Sequence, residues 1–152
     1  MRYGMRRLAI CSALAAGTLA LAPTAEAVAP TTATISFDCG SYGSGSATLT
    51  ATQDGTSATI NVSTSAITAP ISIGANSVSS TLTLTNKGAS TVTFTGNSNP
   101  AIPAGSPVST GPLKGTVASG DSLEAKSLKV VVFGITATCS ATSAQSPGPF
   151  VF

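Results

Sequence analysis

From about position 32 onward, apolar and small polar residues alternate along much of the chain with a period of two. That is the pattern of strands with one face turned inward. "TTATISFD" places Ile35 and Phe37 on one face. "SATLTATQDGTSATINVST" reads as a hairpin, with Ala47, Leu49 and Ala51 on one arm, Ile60 and Val62 on the other, and Asp54-Gly55 at the turn. "SSTLTLTNKGASTVTFTG" repeats the arrangement: Leu82 and Leu84, then Asn86-Lys87-Gly88, then Val92 and Phe94. "SLKVVVFGITATC" is the longest apolar run and predicts a single central strand with Gly134 as a bulge. Phe37, Phe94 and Phe133 sit in or beside these runs and are expected in the core. No segment carries a helical period. Asp121-Ser122-Leu123-Glu124 predicts one short capped turn, with Asp121 as N-cap and Glu124 reaching back.

Short strands separated by turn signals every 8–12 residues or so predict an all-β, immunoglobulin-like antiparallel β-sandwich. The stretch 96–120 breaks the rhythm with its Pro and Gly content. It predicts a long loop plus one short strand around Leu113 to Val117. The last residues, "SAQSPGPFVF", read as a tail, although Phe150, Val151 and Phe152 are apolar enough to dock. The expected division is a secretory signal peptide over 1–27, a sandwich domain over 28–140 and a C-terminal tail over 141–152.

The signal peptide rests on a basic start (Arg2, Arg6, Arg7), an uncharged apolar stretch from Leu8 to Ala22, and small residues at Ala25 and Ala27. The apolar stretch is about 15 residues, short of the roughly 20 that span a bilayer. Export therefore fits better than an N-terminal anchor. Cys11 follows a bulky Ile10, which does not suit a lipoprotein box, and the residues around Arg6-Arg7 match a twin-arginine signal poorly. Either Met1 or Met5 serves as a start with the same consequence. The formal charge of +2 belongs to this segment: beyond it Lys87, Lys114, Lys126 and Lys129 balance Asp38, Asp54, Asp121 and Glu124. A basic patch for nucleic acid is thereby excluded.

Beyond the signal, Cys39 and Cys139 are the remaining cysteines, each ending an alternating run. In an exported chain they are expected to bridge the first and last strands. The alternatives are two buried free thiols or pairing between chains. A Cys in the first strand, a Cys near the end of the last and Thr-rich alternating strands behind such a signal resemble the secreted immunoglobulin-like β-sandwich domains of unknown function found in actinobacteria. The resemblance covers most of Thr32 to Ser140. It implies a fold and an extracellular or cell-surface location, and it transfers no catalytic residues.

Chemistry is constrained further. There is no histidine, so the commonest general base and Ser–His or Cys–His nucleophiles are missing. Asp54 is explained as a turn residue and Asp121 with Glu124 as a cap. The four carboxylates show no spacing that suggests a glycosidase pair. Calcium held by Asp121, Glu124 and carbonyls is the one metal arrangement to weigh; a bridged Cys pair leaves zinc without ligands. "GSGSA" at 43–47 lacks the final Gly of a nucleophile elbow, and Ser–Lys pairs are too abundant to signal anything. Trp is absent, which argues against a sugar-stacking platform, and Tyr42 in "GSYGSGS" is the single exposed-aromatic candidate for ligand contact. The expected protein is thus not an enzyme, needs no cofactor, and acts as an adhesion or interaction module for an unknown protein or cell-envelope partner. The alternatives are a small-molecule carrier, in the manner of the neocarzinostatin-type apoproteins although those use two disulfides, and a self-assembling surface-layer component with poorly guarded strand edges.

Overall fold

Alternation becomes strand wherever it runs for seven residues or more, because each inward residue then gains a packing partner across the layer. A computed structural model describes residues 27–152 of the chain. The signal-peptide reading, with Cys11 and the arginines, lies outside the described residues. Strands β1 (Thr32–Asp38), β2 (Ser44–Asp54), β3 (Ser57–Thr68), β4 (Ser79–Asn86) and β5 (Ser90–Gly96) are followed by β6 (Pro107–Ser109), β7 (Leu113–Thr116), β8 (Ser122–Val132), β9 (Ile135–Ala141) and β10 (Phe150–Val151). One 3-10 turn, Gly40–Tyr42, is the helical element among the described residues, and none of them forms a helix long and apolar enough to cross a membrane.

The all-β antiparallel architecture and the Cys39–Cys139 bridge agree with the sequence. Both predicted hairpins form: Asp54 pairs with Ser57 around Gly55, and Asn86 pairs with Ser90 around Lys87 and Gly88. The two layers of the sandwich are also joined at both edges. Hydrogen bonding runs β8-β4-β5-β7-β3-β2-β1-β9 and returns from β9 to β8, so eight strands close a flattened barrel. The closure is thin at two places. β5 meets β7 through the single pair Thr95↔Lys114, and β1 meets β9 through Phe37↔Ala141 and Asp38↔Ser140.

Four details differ from the sequence reading. "SLKVVVFGITATC" is not one strand: Val132 pairs with Ile135, and Phe133 and Gly134, at φ 51° and 74°, form a two-residue turn between β8 and β9. Two successive positive φ angles at the centre of a hairpin mark the type I′ geometry, which suits the right-handed strand twist. Phe133, at that tip, is 60% exposed and is not core. Asp121 caps no helix. It precedes β8 directly, and its carboxylate accepts from the Ala118 N–H (2.9 Å) and the Asn86 side chain (2.8 Å). The segment 96–120 holds two strands rather than one, β6 and β7, pinned by the buried Asn99. Its side-chain carbonyl accepts from the Ser77 and Val78 N–H groups (both 2.9 Å), and its amide donates to Gly74 and Pro100 carbonyls. A buried amide is stable only when so satisfied.

The tail docks. Phe150 and Phe152 are buried, β10 pairs with Leu123 and Ser122, and Val151 exchanges two backbone hydrogen bonds with Ala29. β9 occupies the same edge of β8 from Ser127 onward. The gap between the two is filled by buried Gln145, whose side-chain oxygen accepts from the Ala125 N–H at 3.0 Å. β8 also carries a bulge. Leu84 faces Ala125 and Thr83 faces Ser127, so Lys126 has no partner across the ladder. The extra residue shifts the parity. Leu123 and Ala125 before it, and Leu128, Val130 and Val132 after it, thus all face inward.

Candidate functional site

The register gives the barrel two unlike ends. At the end that carries the β2–β3 and β4–β5 turns, Ile60, Leu84, Phe94, Leu113, Leu123 and Phe150 are fully buried. Each such side chain contributes roughly 1.5–3 kcal/mol of apolar burial. Phe94 packs so tightly over Gly115 that a Cβ there would stand 2.8 Å from its ring. This end is solid.

The opposite end is hollow. β9 leaves β1 at Asp38↔Ser140, and its earlier residues continue past the end of β1, paired only with β8. The β8–β9 hairpin therefore stands as a wall with one free edge. Its inward residues are only partly buried: Leu128 packs against the main core and Val130 and Val132 against Ala69, Ile73, Val78 and Ile102, while Ile135 and Ala137 face open space. Across from them lie Ile35, Phe37, Leu49, Val62, Ile67 and the 69–73 segment. Between the two walls is a cavity of about 320 Å³. Small side chains, Ala47, Ala69 and Ala137, help create the space.

The lining is apolar almost throughout. Two of the hydroxyls that border it are engaged internally: Thr64 donates to the Ser46 carbonyl (2.8 Å) and Thr110 to the Gly111 carbonyl (2.8 Å). Lys126 is the one charged residue on the border. As the bulged residue beside Ser127 it shares the outer face with Thr83, so its ammonium belongs to solvent rather than to the cavity.

Five large apolar side chains among the described residues are exposed: Tyr42, Ile71, Phe133, Ile135 and Val151. All but Val151 border this one cavity. Scattered exposed apolar residues need no explanation, but a cluster around a concave apolar site does. Tyr42, singled out from the sequence, sits on this rim, held by the turn in which the Cys39 N–H donates to the Gly43 carbonyl at 2.8 Å. Cys39 and Cys139 also border the cavity, and their bridge ties the free hairpin to the end of β1. Asp121 and Glu124 do not form a cation site. Asp121 is engaged as described, and Glu124 accepts from the Gln145 N–H at 3.0 Å. Among the described residues no three His, Cys, Asp or Glu side chains converge.

Sequence reasoning missed the 69–73 wall and the inward face of Val130, Val132 and Ile135. The signal available was Phe133-Gly134, a place where a turn takes over from a strand. Phe is a poor choice at positive φ, where Asn or Gly is preferred, and such strain gathers at functional positions. Phe133→Asn is therefore expected to stabilise the fold by about 0.5–1 kcal/mol while weakening occupation of the cavity several-fold. Denaturant melts alongside a fluorescent-probe titration check both, and unchanged probe affinity would remove Phe133 from the site. Comparison with protein-family models, curated proteins and solved structures finds no match for this chain.

Proposed function

We propose that this chain is a secreted, non-enzymatic carrier of a small apolar molecule held between the β8–β9 hairpin and the 69–73 wall. The observation that carries this reading is the coincidence of a preformed apolar cavity of about 320 Å³ with four exposed apolar side chains on its rim. Ligand sites are typically about 300–1,000 Å³, mostly apolar, and found at the mouths of barrels. A dry apolar cavity of roughly 150 Å³ is already enough to hold benzene. Leaving such surface unfilled forgoes dispersion contacts and burial that a ligand would restore.

The test has two parts. Native mass spectrometry of protein recovered from culture medium is expected to show an extra mass that leaves on organic extraction. The extracted protein is then expected to enhance and blue-shift the fluorescence of N-phenyl-1-naphthylamine with one site per chain. A bare mass together with no probe response overturns the carrier reading.

The same rim supports a second reading, an interaction module of the extracellular, immunoglobulin-like type, in which a partner's apolar side chain enters the cavity. Tyr42 and Phe133 would serve as its anchors, in keeping with the enrichment of aromatics at interfaces. Recovery of a single envelope protein by wild-type chain, lost on Tyr42→Ser and Phe133→Asn substitution, would favour it over the carrier.

A further inference from the structure

Resting on the carrier reading, the inference concerns which molecules can enter and in which orientation. The cavity has one rim and a solid floor. Below Leu49, Val62 and Leu82, the barrel is filled by Ile60, Leu84, Phe94, Leu113, Leu123 and Phe150, all at or near zero exposure. Among the described residues, Phe152, Val28 and the docked tail cover the far end. Between rim and floor the lining is apolar almost throughout, and two of its hydroxyls are spent inside the protein. Thr64 and Thr110 hydroxyls already donate to main-chain carbonyls. Thr110 Oγ1 also accepts from the Val62 N–H at 3.1 Å, and Thr64 Oγ1 from the Ala66 N–H at 3.1 Å. Ser127 and Ser140 pair with each other across β8 and β9 in register with outward-facing Thr83.

The rim differs from the interior. Asp38, with a carboxylate oxygen 2.7 Å from the Gly40 N–H, lies in the same short turn that presents Tyr42. Main-chain groups of the β9 free edge stand there without a β1 partner beyond Ser140. Water and polar groups are therefore at hand at the rim; below it the buried Ser80 Oγ, which has no hydrogen-bond partner, lies opposite Val130 but does not border the cavity. A polar group taken to the floor would lose its hydrogen bonds to water and find none in return.

We infer that the site is a one-ended socket: it accepts the apolar end of a chain-like or ring-bearing amphiphile, leaves that molecule's single polar group at the rim, and rejects molecules polar at both ends. The ligand class is a monofunctional lipid-like compound, such as a long-chain alcohol, a terpene alcohol or the acyl end of a lipid.

The experiment is competition for N-phenyl-1-naphthylamine on the extracted full-length protein, using 1-decanol and 1,10-decanediol. The two share one chain length and differ by a terminal hydroxyl. The socket predicts displacement by 1-decanol and at least tenfold weaker displacement by the diol at equal free concentration. Equal displacement overturns the inference while the carrier reading stands, because probe binding itself is the carrier's readout. A second variant, Val62→Thr, places a hydroxyl near the floor; it is expected to narrow the gap between the two competitors, and an unchanged gap on a folded variant also counts against the socket.

Discussion

Ala137→Leu is expected to abolish probe binding while leaving the melting temperature unchanged or raised. Ala137 lies on the inward face of β9 between Ile135 and Cys139, directly opposite Val130, and it borders the cavity. It is half-buried, with open space ahead of it rather than packed atoms. In an ordinary core, adding three carbons would force neighbours off their rotamers and cost about 1–3 kcal/mol. Here the added atoms enter a void, gain contacts with Val62 or Ile67 across it, and contribute about 0.5–2 kcal/mol. The same atoms occupy the volume a ligand needs. A rise in stability with a loss of at least tenfold in probe affinity is a combination that simple damage does not produce. Retained affinity would place the ligand elsewhere, and a large drop in melting temperature would show that the wall already packs against the facing layer. Ala47→Val, from the opposite wall, is a companion that should act in the same sense with smaller effect.

Replacing Cys39 and Cys139 together by Ser is expected to cost about 4 kcal/mol, lowering the melting temperature on the order of 15 °C. The bridge joins residues 100 apart in the chain, so it removes much of the freedom of the unfolded state. That is the general part. The particular part is that β9 is held to β1 by just two residue pairs, both immediately beside the bridge. Without it, the hairpin that forms one wall of the cavity is held by the β4–β8 ladder and those two pairs alone. Probe affinity is therefore expected to fall more steeply with temperature in the double variant than stability alone explains. Denaturant melts of the oxidised wild type and the variant measure the first quantity, and probe titrations well below the melting range measure the second. A loss under about 1 kcal/mol would mean the unfolded chain was not constrained by the bridge. Unaltered low-temperature affinity would mean the hairpin needs no tether.

These two predictions rest on residues that the sequence exposed to different degrees. Ile35, Phe37, Ala47, Leu49, Ile60, Val62, Leu82 and Leu84 could be placed inward from alternation alone, since in an extended chain every second side chain shares a face. Cys39 and Cys139 could be joined because few pairings were open. Turns at Gly55 and Gly88, both with positive φ, were legible because glycine tolerates that conformation without steric cost. So an all-β antiparallel fold, its main inward faces and its covalent link follow from local chemistry.

The cavity does not. Its wall faces inward because the bulge at Lys126 exchanges odd for even positions along β8, and periodicity read from one end of the strand assigns Val130 and Val132 to the wrong side. A bulge is settled by how two distant strands share hydrogen bonds, and nothing in "SLEAKSLKVVVF" alone reports that. The same holds for the tail, where Gln145 finds its role only because β9 and β10 leave a gap on one edge of β8. Alternation along a strand determined which residues could be buried. Register between strands decided which of them are, and left Ala137 and Ile135 facing a space.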